Sequence, residues 1–577
     1  MLKVNIQTGE LLEDVRKPAG YIELRNGLTV RIYGKMPLLY KDRPFSDVVF
    51  KDEHMEELDD LVPYAVGQSF FVLMDGLSVK EMAADYYCHS RVYYTEMGGI
   101  IYISDDWREL PHTCMELDLF QLMYFMNWDE TLLGETYYKD LKYFCPTYKY
   151  PQNSGFVRRF MRFRSLDSHG FHDAVFRTVK AVSQLDKKVG IMLSGGMDST
   201  EVAVCAEEMN YHPVYYCAKI DDLEMFDNIQ DCIGAKVIAD HYGLDFRFAP
   251  CCIRSFLDGW NGELSKYVGF SYKDGKFWEA VSKKAKEDGM ELLINGNNAD
   301  YMHNFGYTME DKASEKSYTH EFFTTMRKVT SNKQLDRVFV NHEYSKELID
   351  QWNRFNDGEF TQERFLAWCM TNGNMYAGYR GLAVDEACNE YGQDLYDKQL
   401  DDCMRDLISE FRDGNVSNTR QLVLNGFLVG EMNGANARAI MGAASANDVE
   451  CLIIHTSPLI FDACIKMVFD DRDVVIPKRE SYEALKDNEA YLLAVREKNK
   501  VDPQGLCTPS DVWRVILDVL DKEFNVKECT DAGYELLDHT GLFDMVKLGK
   551  LAKSDIGIAV RVAWLGYIDT IYAKSLA

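Results

Sequence analysis

The chain has 577 residues, which is enough for two or three domains that each bury a hydrophobic core. Its 92 acidic and 64 basic side chains give a net charge of −28, which argues against a nucleic-acid partner and against an anionic membrane surface. No apolar stretch is long enough to span a membrane and no signal-peptide pattern opens the chain, so we expect a cytoplasmic protein.

The first 165 residues are rich in Tyr, Phe and β-branched residues and contain several strand-like segments. An apolar run at 70–74 ends in Asp75-Gly76. Further on, the segments 91–95 and 100–104 flank Glu96-Met97-Gly98-Gly99, which predicts a β-hairpin. These patterns indicate a strand-rich N-terminal domain.

From about residue 170 onward, strand-like segments alternate with helical patterns, which is typical of a parallel α/β sheet. The candidate strands are 187–193, 214–219, 244–250 and 291–295. After residue 310 the pattern predicts mostly helix, with charged amphipathic stretches at 463–470 and 483–498.

The most informative motif is the run Ser194-Gly195-Gly196-Met197-Asp198-Ser199, which follows an apolar strand and precedes the helical stretch 200–209. A glycine turn that leads into a helix N-terminus binds anions, because unpaired N–H groups point outward and the helix dipole favours negative charge. Ser194 and Ser199 add hydroxyl donors. Asp198 would repel a phosphate unless a cation lay between them, so the motif also predicts Mg²⁺.

A second turn, Asn295-Gly296-Asn297-Asn298-Ala299-Asp300, follows the last candidate strand. In a doubly wound sheet, ligands bind beyond the carboxyl ends of the strands, where both turns are expected. Asp198 and Asp300 can therefore share one or two Mg²⁺ ions over a triphosphate. The alternative for this turn is an Asn-rich connection whose Asp caps a helix.

Cysteine and histidine do not form a recognisable metal motif. The 15 cysteines follow no regular spacing, and we expect reduced, mostly buried thiols. His169 and His172 are three residues apart, but no Cys or His cluster accompanies them, so the pattern does not favour zinc.

The two turns resemble those of the asparagine synthetase family, and the resemblance extends over nearly the whole chain. The family's SGGxDS loop is matched at 194–199, while its SGEGSDE loop is matched loosely at 295–300, with Asn297 in place of Glu. The segment Ser457–Asp462 is similar to the family's P-F-L-D region. Segments similar to its glutaminase domain lie at 85–94, 100–110 and 134–140.

The resemblance implies an α/β fold in two domains. Residues 1–165 would form an Ntn-hydrolase-like α+β sandwich, and residues 170–577 a doubly wound parallel-sheet ATP pyrophosphatase domain with extra helices. Glutamine-hydrolysing members use an N-terminal Cys as nucleophile, but residue 2 here is Leu2 and no cysteine precedes Cys88. We therefore expect a scaffold without glutaminase activity, similar to that of β-lactam synthetases and lasso-peptide cyclases.

The resemblance also implies the reaction of an AMP-forming carbon–nitrogen ligase. A small-molecule or peptide carboxylate would attack the α-phosphate of Mg²⁺-ATP and release pyrophosphate, and ammonia or an amine would then displace AMP. The ammonia would be free or come from a separate glutaminase. The sequence does not fix the oligomeric state, and a homodimer is one arrangement that it allows.

The resemblance assigns roles to particular residues. The backbone at Leu193 and near Ala218 would meet adenine, and Asn295 and Gly296 would lie beside the nucleotide. The phosphate donors would be Ser194, Gly195, Gly196 and Ser199, and the metal ligands Asp198 and Asp300.

The family also places a Lys on the α-phosphate, but the comparable position here is Ala490. The nearest candidates for the catalytic lysine are Lys486 and Lys478, and each also fits a solvated charge on a helix.

Three functions remain open. The first is an amide ligase that uses ammonia, and the second is an intramolecular or peptide cyclase with the same activation step. The third is an inactive homologue that binds a nucleotide or a partner, which the missing Cys, Asn297 and the unassigned Lys favour. The intact loop at 194–199 and Asp300 argue against the third.

Overall fold

The computed structural model describes seventeen stretches or single residues of the chain. They are 1–50, 53, 55–111, 116–153, 155–221, 229–252, 266, 268, 275–304, 337–339, 341–355, 359–370, 381–413, 419–429, 435–467, 478–500 and 526–576. The predicted amphipathic stretch 463–470 lies partly outside them, from residue 468 onward. No helix of these stretches is long and apolar enough to cross a membrane.

The described strands before residue 161 pair antiparallel and form two larger sheets and one small one. They are β1 Leu2–Asn5, β2 Leu11–Asp14, β3 Gly20–Glu23, β4 Thr29–Gly34, β5 Leu39–Tyr40, β6 Arg43–Pro44, β7 Ala65–Val66, β8 Ser69–Asp75, β9 Ser78–Ala84, β10 Tyr93–Met97, β11 Ile100–Ser104, β12 Lys142–Tyr143, β13 Tyr148–Pro151 and β14 Arg159–Phe160. The sheet orders are β12-β10-β11-β1-β2, β14-β13-β9-β8-β4-β3 and β6-β5-β7. The predicted hairpin is confirmed as β10 and β11, joined by Gly98 and Gly99 with φ of 59° and 78°.

Five later strands form one parallel sheet. They are β15 Val189–Met192, β16 Val214–Ile220, β17 Phe246–Cys251, β18 Leu292–Asn295 and β19 Glu450–Ile453, in the order β17-β16-β15-β18-β19. The chain runs outward from β15 on one side and continues with β18 on the other, so the strand order reverses between these two strands. A crevice for ligands forms at such a switch point, beyond the carboxyl ends of the strands.

The sequence predicted the first four parallel strands but missed β19. The interpretation after residue 310 was mostly helical, whereas β19 pairs in parallel with β18 along Leu292–Asn295. An apolar run as short as Cys451-Leu452-Ile453-Ile454 fits a buried strand and a buried helix equally well, so its periodicity could not reveal the pairing.

The helices cover the parallel sheet and continue beyond it. They are α1 Leu119–Trp128, α2 Phe171–Ser183, α3 Met197–Glu208, α4 Ile229–Tyr242, α5 Gly275–Glu287, α6 Ala299–Asn304, α7 Lys346–Phe355, α8 Gln362–Met370, α9 Leu382–Ala387, α10 Glu390–Asp413, α11 Thr419–Val429, α12 Ala435–Ala446, α13 Pro458–Lys466, α14 Arg479–Leu485, α15 Glu489–Lys498, α16 Val526–Thr540, α17 Met545–Ser554 and α18 Ile556–Leu576. The predicted stretch 483–498 is two helices rather than one, because Asn488 caps α15 by accepting a hydrogen bond from the Tyr491 N–H at 3.0 Å.

Buried contacts join the antiparallel and parallel parts. The carboxylate of Asp462 on α13 is fully buried and accepts hydrogen bonds from the Leu166 N–H at 2.9 Å and the Ser168 hydroxyl at 2.5 Å. The Phe461 ring packs edge-on against Tyr86 and Phe163. The mixed α/β class is confirmed, while the predicted domain limits of 1–165 and 170–577 stay predictions.

Candidate active site

The loop between β15 and α3 is held in shape by its own serines. The Ser194 N–H donates to the Ser199 hydroxyl at 3.2 Å, and the two serine hydroxyls are 3.1 Å apart. The Gly196 N–H donates to the Ser194 hydroxyl at 3.3 Å. Helical bonding begins at once, since the Thr200 N–H donates to the Gly196 carbonyl at 3.0 Å. The loop is therefore a preformed turn at a helix N-terminus, where N–H groups without helical partners can meet an anion.

Gly195 allows helix α4 to approach this loop. It has φ of +67°, and a Cβ built on it would lie 2.2 Å from the carbonyl carbon of Gly234 in α4. At Gly196 the nearest atom to such a Cβ would be the Ser194 Oγ, at 3.2 Å. The tight backbone contact at Gly195 leaves the other side of the loop open for a ligand.

The second predicted turn packs against the first. A Cβ built on Gly296 would lie 3.2 Å from the Cα of Ser199, so the two loops touch through backbone. The Asn297 N–H donates to the Asn295 side chain at 2.7 Å, which closes the turn. Asp300 is the second residue of α6, and its side chain lies outside the described part of the structure.

His455 holds the second turn through a hydrogen bond to its backbone. This fully buried side chain has its Nδ1 at 3.0 Å from the Asn297 carbonyl, to which it donates. Burial lowers the pKa of His455, so the imidazole is neutral near pH 7. This hydrogen bond therefore fixes the backbone of Asn297.

A cavity of about 380 Å³ opens beside both loops. It is lined by Met192, Leu193, Ser194, Gly196, Asp198, Ser199, Tyr216, Cys217, Ala218, Asp231, Phe277, Trp278, Val281, Asn295, Gly296 and Asn297. Its volume is in the range of small-molecule sites, and its position is the switch point of the sheet. Eight of the nucleotide-site residues predicted from the sequence lie on this lining, and Gly195 lies behind it against α4.

The apolar wall of the cavity was missed by the sequence analysis. Phe277, Trp278 and Val281 of α5 line it, and two adjacent aromatic residues followed by an apolar residue one turn later were the available signal. Aromatic side chains that line the same cavity as Leu193 and Ala218 suit a flat ring such as a nucleobase.

Lys478 reaches the first loop from a distant part of the chain. Its Nζ lies 2.8 Å from Oδ1 and 2.7 Å from Oδ2 of Asp198, so the ammonium sits at the N-terminus of α3. The Lys478 side chain is 10% exposed and that of Asp198 is 21% exposed. Asp198 lines the cavity, so its pair with Lys478 borders the cavity.

Lys486, the other lysine candidate, lies elsewhere. It follows the end of α14, and its Nζ pairs with Glu483 at 2.5 Å. The hydrogen bond that Lys486 donates to Glu483 raises the pKa of Lys486, and the pair is on the solvent-exposed side of the helix. The structure thus brings Lys478 to the glycine loop and leaves Lys486 in solvent.

The parallel sheet, the glycine loop and the carboxylate at the helix start together form a candidate nucleotide site at the switch point of the sheet. Residues 170–380 match the family model described as asparagine synthase. The chain is also 27% identical over 183 residues to the tRNA-specific 2-thiouridylase MnmA of Fervidobacterium nodosum. That match covers 29% of this chain and 51% of the relative, so the chain spans about half the length of this curated protein.

Proposed function

We propose that the protein is an ATP-dependent ligase that adenylates a carboxylate and transfers the acyl group to ammonia or an amine. The carboxylate oxygen would bond to the α-phosphorus as the bond to pyrophosphate breaks, and the amine would then displace AMP from the acyl carbon. The position of Lys478 carries the proposal, because its ammonium lies 2.7 Å from the Asp198 carboxylate at the glycine loop.

The loop residues would bind the polyphosphate. The N–H groups at the start of α3 and the hydroxyls of Ser194 and Ser199 are donors fixed before a ligand arrives. Such preorganised donors stabilise charge that develops on a leaving pyrophosphate, because they do not need to reorient during the reaction. The aromatic wall of α5 would hold the base against the backbone of Leu193 and Ala218.

The donor set fits Mg²⁺. The described residues contain no group of three or more His, Cys, Asp or Glu side chains that could hold a metal, and Mg²⁺ commonly binds through one or two carboxylates together with substrate phosphates. Asp198 would hold the ion, with Asp300 as the second ligand that the resemblance implies. Bound there, Mg²⁺ would neutralise charge on the leaving pyrophosphate.

The ligand would change the partner of Lys478. If Asp198 held Mg²⁺, the Lys478 ammonium would exchange its Asp198 contacts for an oxygen of the α-phosphate. That phosphate oxygen would replace the carboxylate as the anion that compensates this largely buried charge. The ion pair with Asp198 directs the lysine at the loop.

The nitrogen would come from ammonia or an amine rather than from glutamine hydrolysed within this chain. Among the described residues of the antiparallel part, the two cysteines are Cys88 and Cys145, and both are buried. Burial raises the pKa of Cys88 to about 11 and also raises the pKa of Cys145. A buried thiol with a raised pKa is a poor nucleophile, which supports a scaffold role for this domain.

The decisive experiment is ATP–pyrophosphate exchange with a panel of carboxylates that includes aspartate. We expect exchange with one carboxylate in the wild type, its loss in Asp198→Ala, and its retention in Asp240→Ala, a control at an exposed carboxylate on α4. Exchange that persists in Asp198→Ala, or ATP binding without exchange on any carboxylate, would contradict the proposal.

A second step identifies the acceptor. Ammonium chloride is added with the active carboxylate, and the amide product is scored by mass spectrometry. Formation of the amide supports ammonia as the nitrogen source. An amide closed within the substrate itself would instead identify the cyclase alternative.

A further inference from the structure

Helices α3 and α14 face each other through two polar pairs that have the same spacing. Asp198 and Glu201 are three residues apart on α3, and Lys478 and Ser481 are three residues apart at the start of α14. Residues at this spacing lie on one face of a helix, so the two pairs stack one turn apart. The first pair is Lys478 with Asp198, and the second is Ser481 with Glu201.

The second pair is buried. The Ser481 hydroxyl donates to Oε2 of Glu201 at 2.6 Å, and both side chains have 0% exposure. The other carboxylate oxygen of Glu201 lies 2.8 Å from Nδ1 of His172 on α2. The Ser481 hydroxyl is also 3.0 Å from Nε2 of His303 on α6. A carboxylate with no exposure is costly unless it is well bonded, so this one must keep its partners in place.

A third contact fixes α14 to α2. The side chain of Glu480 accepts a hydrogen bond from the N–H of Phe171, at the N-terminus of α2. Lys478 itself has φ of 50°, in the left-handed region, and the helix starts with the next residue. The direction of the Lys478 side chain therefore depends on where the first turn of α14 is held.

We propose that Glu201 is a positioning residue, which holds Lys478 over the glycine loop by fixing the first turn of α14 through Ser481. The proposal rests on the proposed function in one respect, namely that Lys478 acts on the phosphate of ATP. The argument for this role is that the two pairs would respond differently to a bound cation. The Lys478–Asp198 pair would open if Asp198 held a cation, whereas the Ser481–Glu201 pair is fully buried one turn further along the helices and would stay closed. Without the second pair, α14 would lose its link to α3 when the lysine is needed.

The test compares full-length variants that each carry one substitution on α3 or α14. Ser481→Ala removes a single hydroxyl, and Glu201→Gln removes the charge that this hydroxyl faces. The control is Glu483→Gln, which makes the same chemical change on the exposed side of α14. A misplacement of about 1 Å can lower a rate by about 100-fold, so the expected effect is on turnover.

Two readouts are needed. The first is hydrogen exchange of the α14 amides without nucleotide, where we expect exchange to rise at least about tenfold in Ser481→Ala and Glu201→Gln and not in Glu483→Gln. The second is ATP–pyrophosphate exchange, where we expect the kcat of both variants to fall by about 10- to 100-fold while the KM for ATP changes less than about threefold. The glycine loop binds ATP, so a positioning defect should spare KM.

The outcomes separate this proposal from the proposed function. The positioning role of Glu201 would be overturned by a wild-type kcat in both variants. It would also be overturned by a rise in the KM for ATP together with faster hydrogen exchange throughout the chain. If no carboxylate supports ATP–pyrophosphate exchange in the wild type, the proposed function fails, and the hydrogen-exchange measurement alone tests this proposal. In that case faster hydrogen exchange in α14 supports the link through Glu201, and unchanged hydrogen exchange overturns it.

Discussion

The Nζ of Lys478 contacts both carboxylate oxygens of Asp198, at 2.8 and 2.7 Å, although the two residues are 280 positions apart in the chain. Asp198 belongs to the glycine loop that a sequence pattern reveals, and Lys478 belongs to a helix start that no local motif marks. The contact joins the two halves of the candidate site and gives the lysine a specific role to test.

Replacing Lys478 should abolish the first half-reaction. We expect Lys478→Ala to lower ATP–pyrophosphate exchange by at least about 100-fold, because one well-placed donor to a developing charge is worth about 10²- to 10³-fold. Lys478→Arg should retain part of the rate, since it keeps the charge but not the shape of the ammonium. The measurement is the initial rate of exchange at saturating ATP with the active carboxylate.

Lys486→Ala is the matched control for this prediction. Its ammonium pairs with Glu483 on the exposed side of α14, so the variant should keep exchange within about twofold of the wild type. A large loss in Lys486→Ala together with an active Lys478→Ala would reverse the two assignments.

Gly195→Ala should destabilise the protein and weaken nucleotide binding. The residue has φ of +67°, and the added Cβ would overlap Gly234 of α4 at 2.2 Å. The left-handed conformation costs about 1–2 kcal/mol for a non-glycine residue, and the overlap adds about 1–3 kcal/mol. The measurements are the urea midpoint of unfolding and the affinity for ATP.

Gly243→Ala separates the two causes. Gly243 has φ of +68°, but a Cβ there would have no atom within 4 Å. This control should therefore show only the cost of the backbone conformation, with ATP affinity unchanged. Equal midpoints in the two variants would show that α4 moves aside and that the contact with Gly234 does not shape the loop.

The sequence predicted the parts of the fold that depend on neighbouring residues. The parallel strands β15 to β18 and the loop at 194–199 are contiguous sequence patterns. Hydrophobic periodicity and glycine positions are therefore sufficient to predict them. Strand β19 was not predicted, because it pairs with β18, which is distant in sequence, and because a short apolar run has no periodicity that identifies a strand. The predicted stretch 483–498 did not separate α14 from α15, since the charged amphipathic pattern continues through the break at Asn488.

The two lysine candidates show that the local sequence pattern does not reveal which lysine reaches the site. Lys478 and Lys486 both sit among charged residues of a helical pattern, and nothing within ten residues separates them. They differ only in the folded chain, where one is 10% exposed against Asp198 and the other is 41% exposed beside Glu483. The aromatic wall of α5 was missed for the same reason, because an amphipathic helix with Phe277 and Trp278 equally predicts an ordinary core contact.

Lys149 should be essential for the stability of the antiparallel part. Its Nζ lies 2.9 Å from Glu57, 2.9 Å from Glu81 and 3.2 Å from Asp59, and its side chain is 7% exposed. Lys149→Met would leave three carboxylates without this cation, which should cost about 3–5 kcal/mol in the free energy of unfolding. Urea unfolding followed by near-ultraviolet circular dichroism measures the loss.

The same variant should be more damaging at pH 8 than at pH 5. Burial raises the pKa of Asp59 to about 6 even with Lys149 present, and removal of the lysine should raise it further. A carboxyl with a raised folded-state pKa loses stability as the pH rises from its unfolded value of about 3.9 through its folded value. Lys139→Met, at an exposed pair with Glu116, should have little effect at either pH, and an equal loss at both pH values in Lys149→Met would contradict the assignment.

We expect His172 to make the free energy of unfolding fall as the pH rises above about 6.5. Its Nδ1 lies 2.8 Å from the buried Glu201 carboxylate, and this hydrogen bond raises the pKa of His172, with smaller contributions from Glu208 and Asp173. A histidine with a raised folded-state pKa contributes stability that is fully present below its unfolded pKa of about 6.5 and lost as the pH rises through the folded value. We therefore expect His172→Gln to remove part of the fall in the urea midpoint above pH 6.5. His169→Gln, at an exposed pair with Asp167, should leave the pH profile unchanged, whereas an undiminished fall in His172→Gln would mean that this pair does not link α2 to α3 in solution.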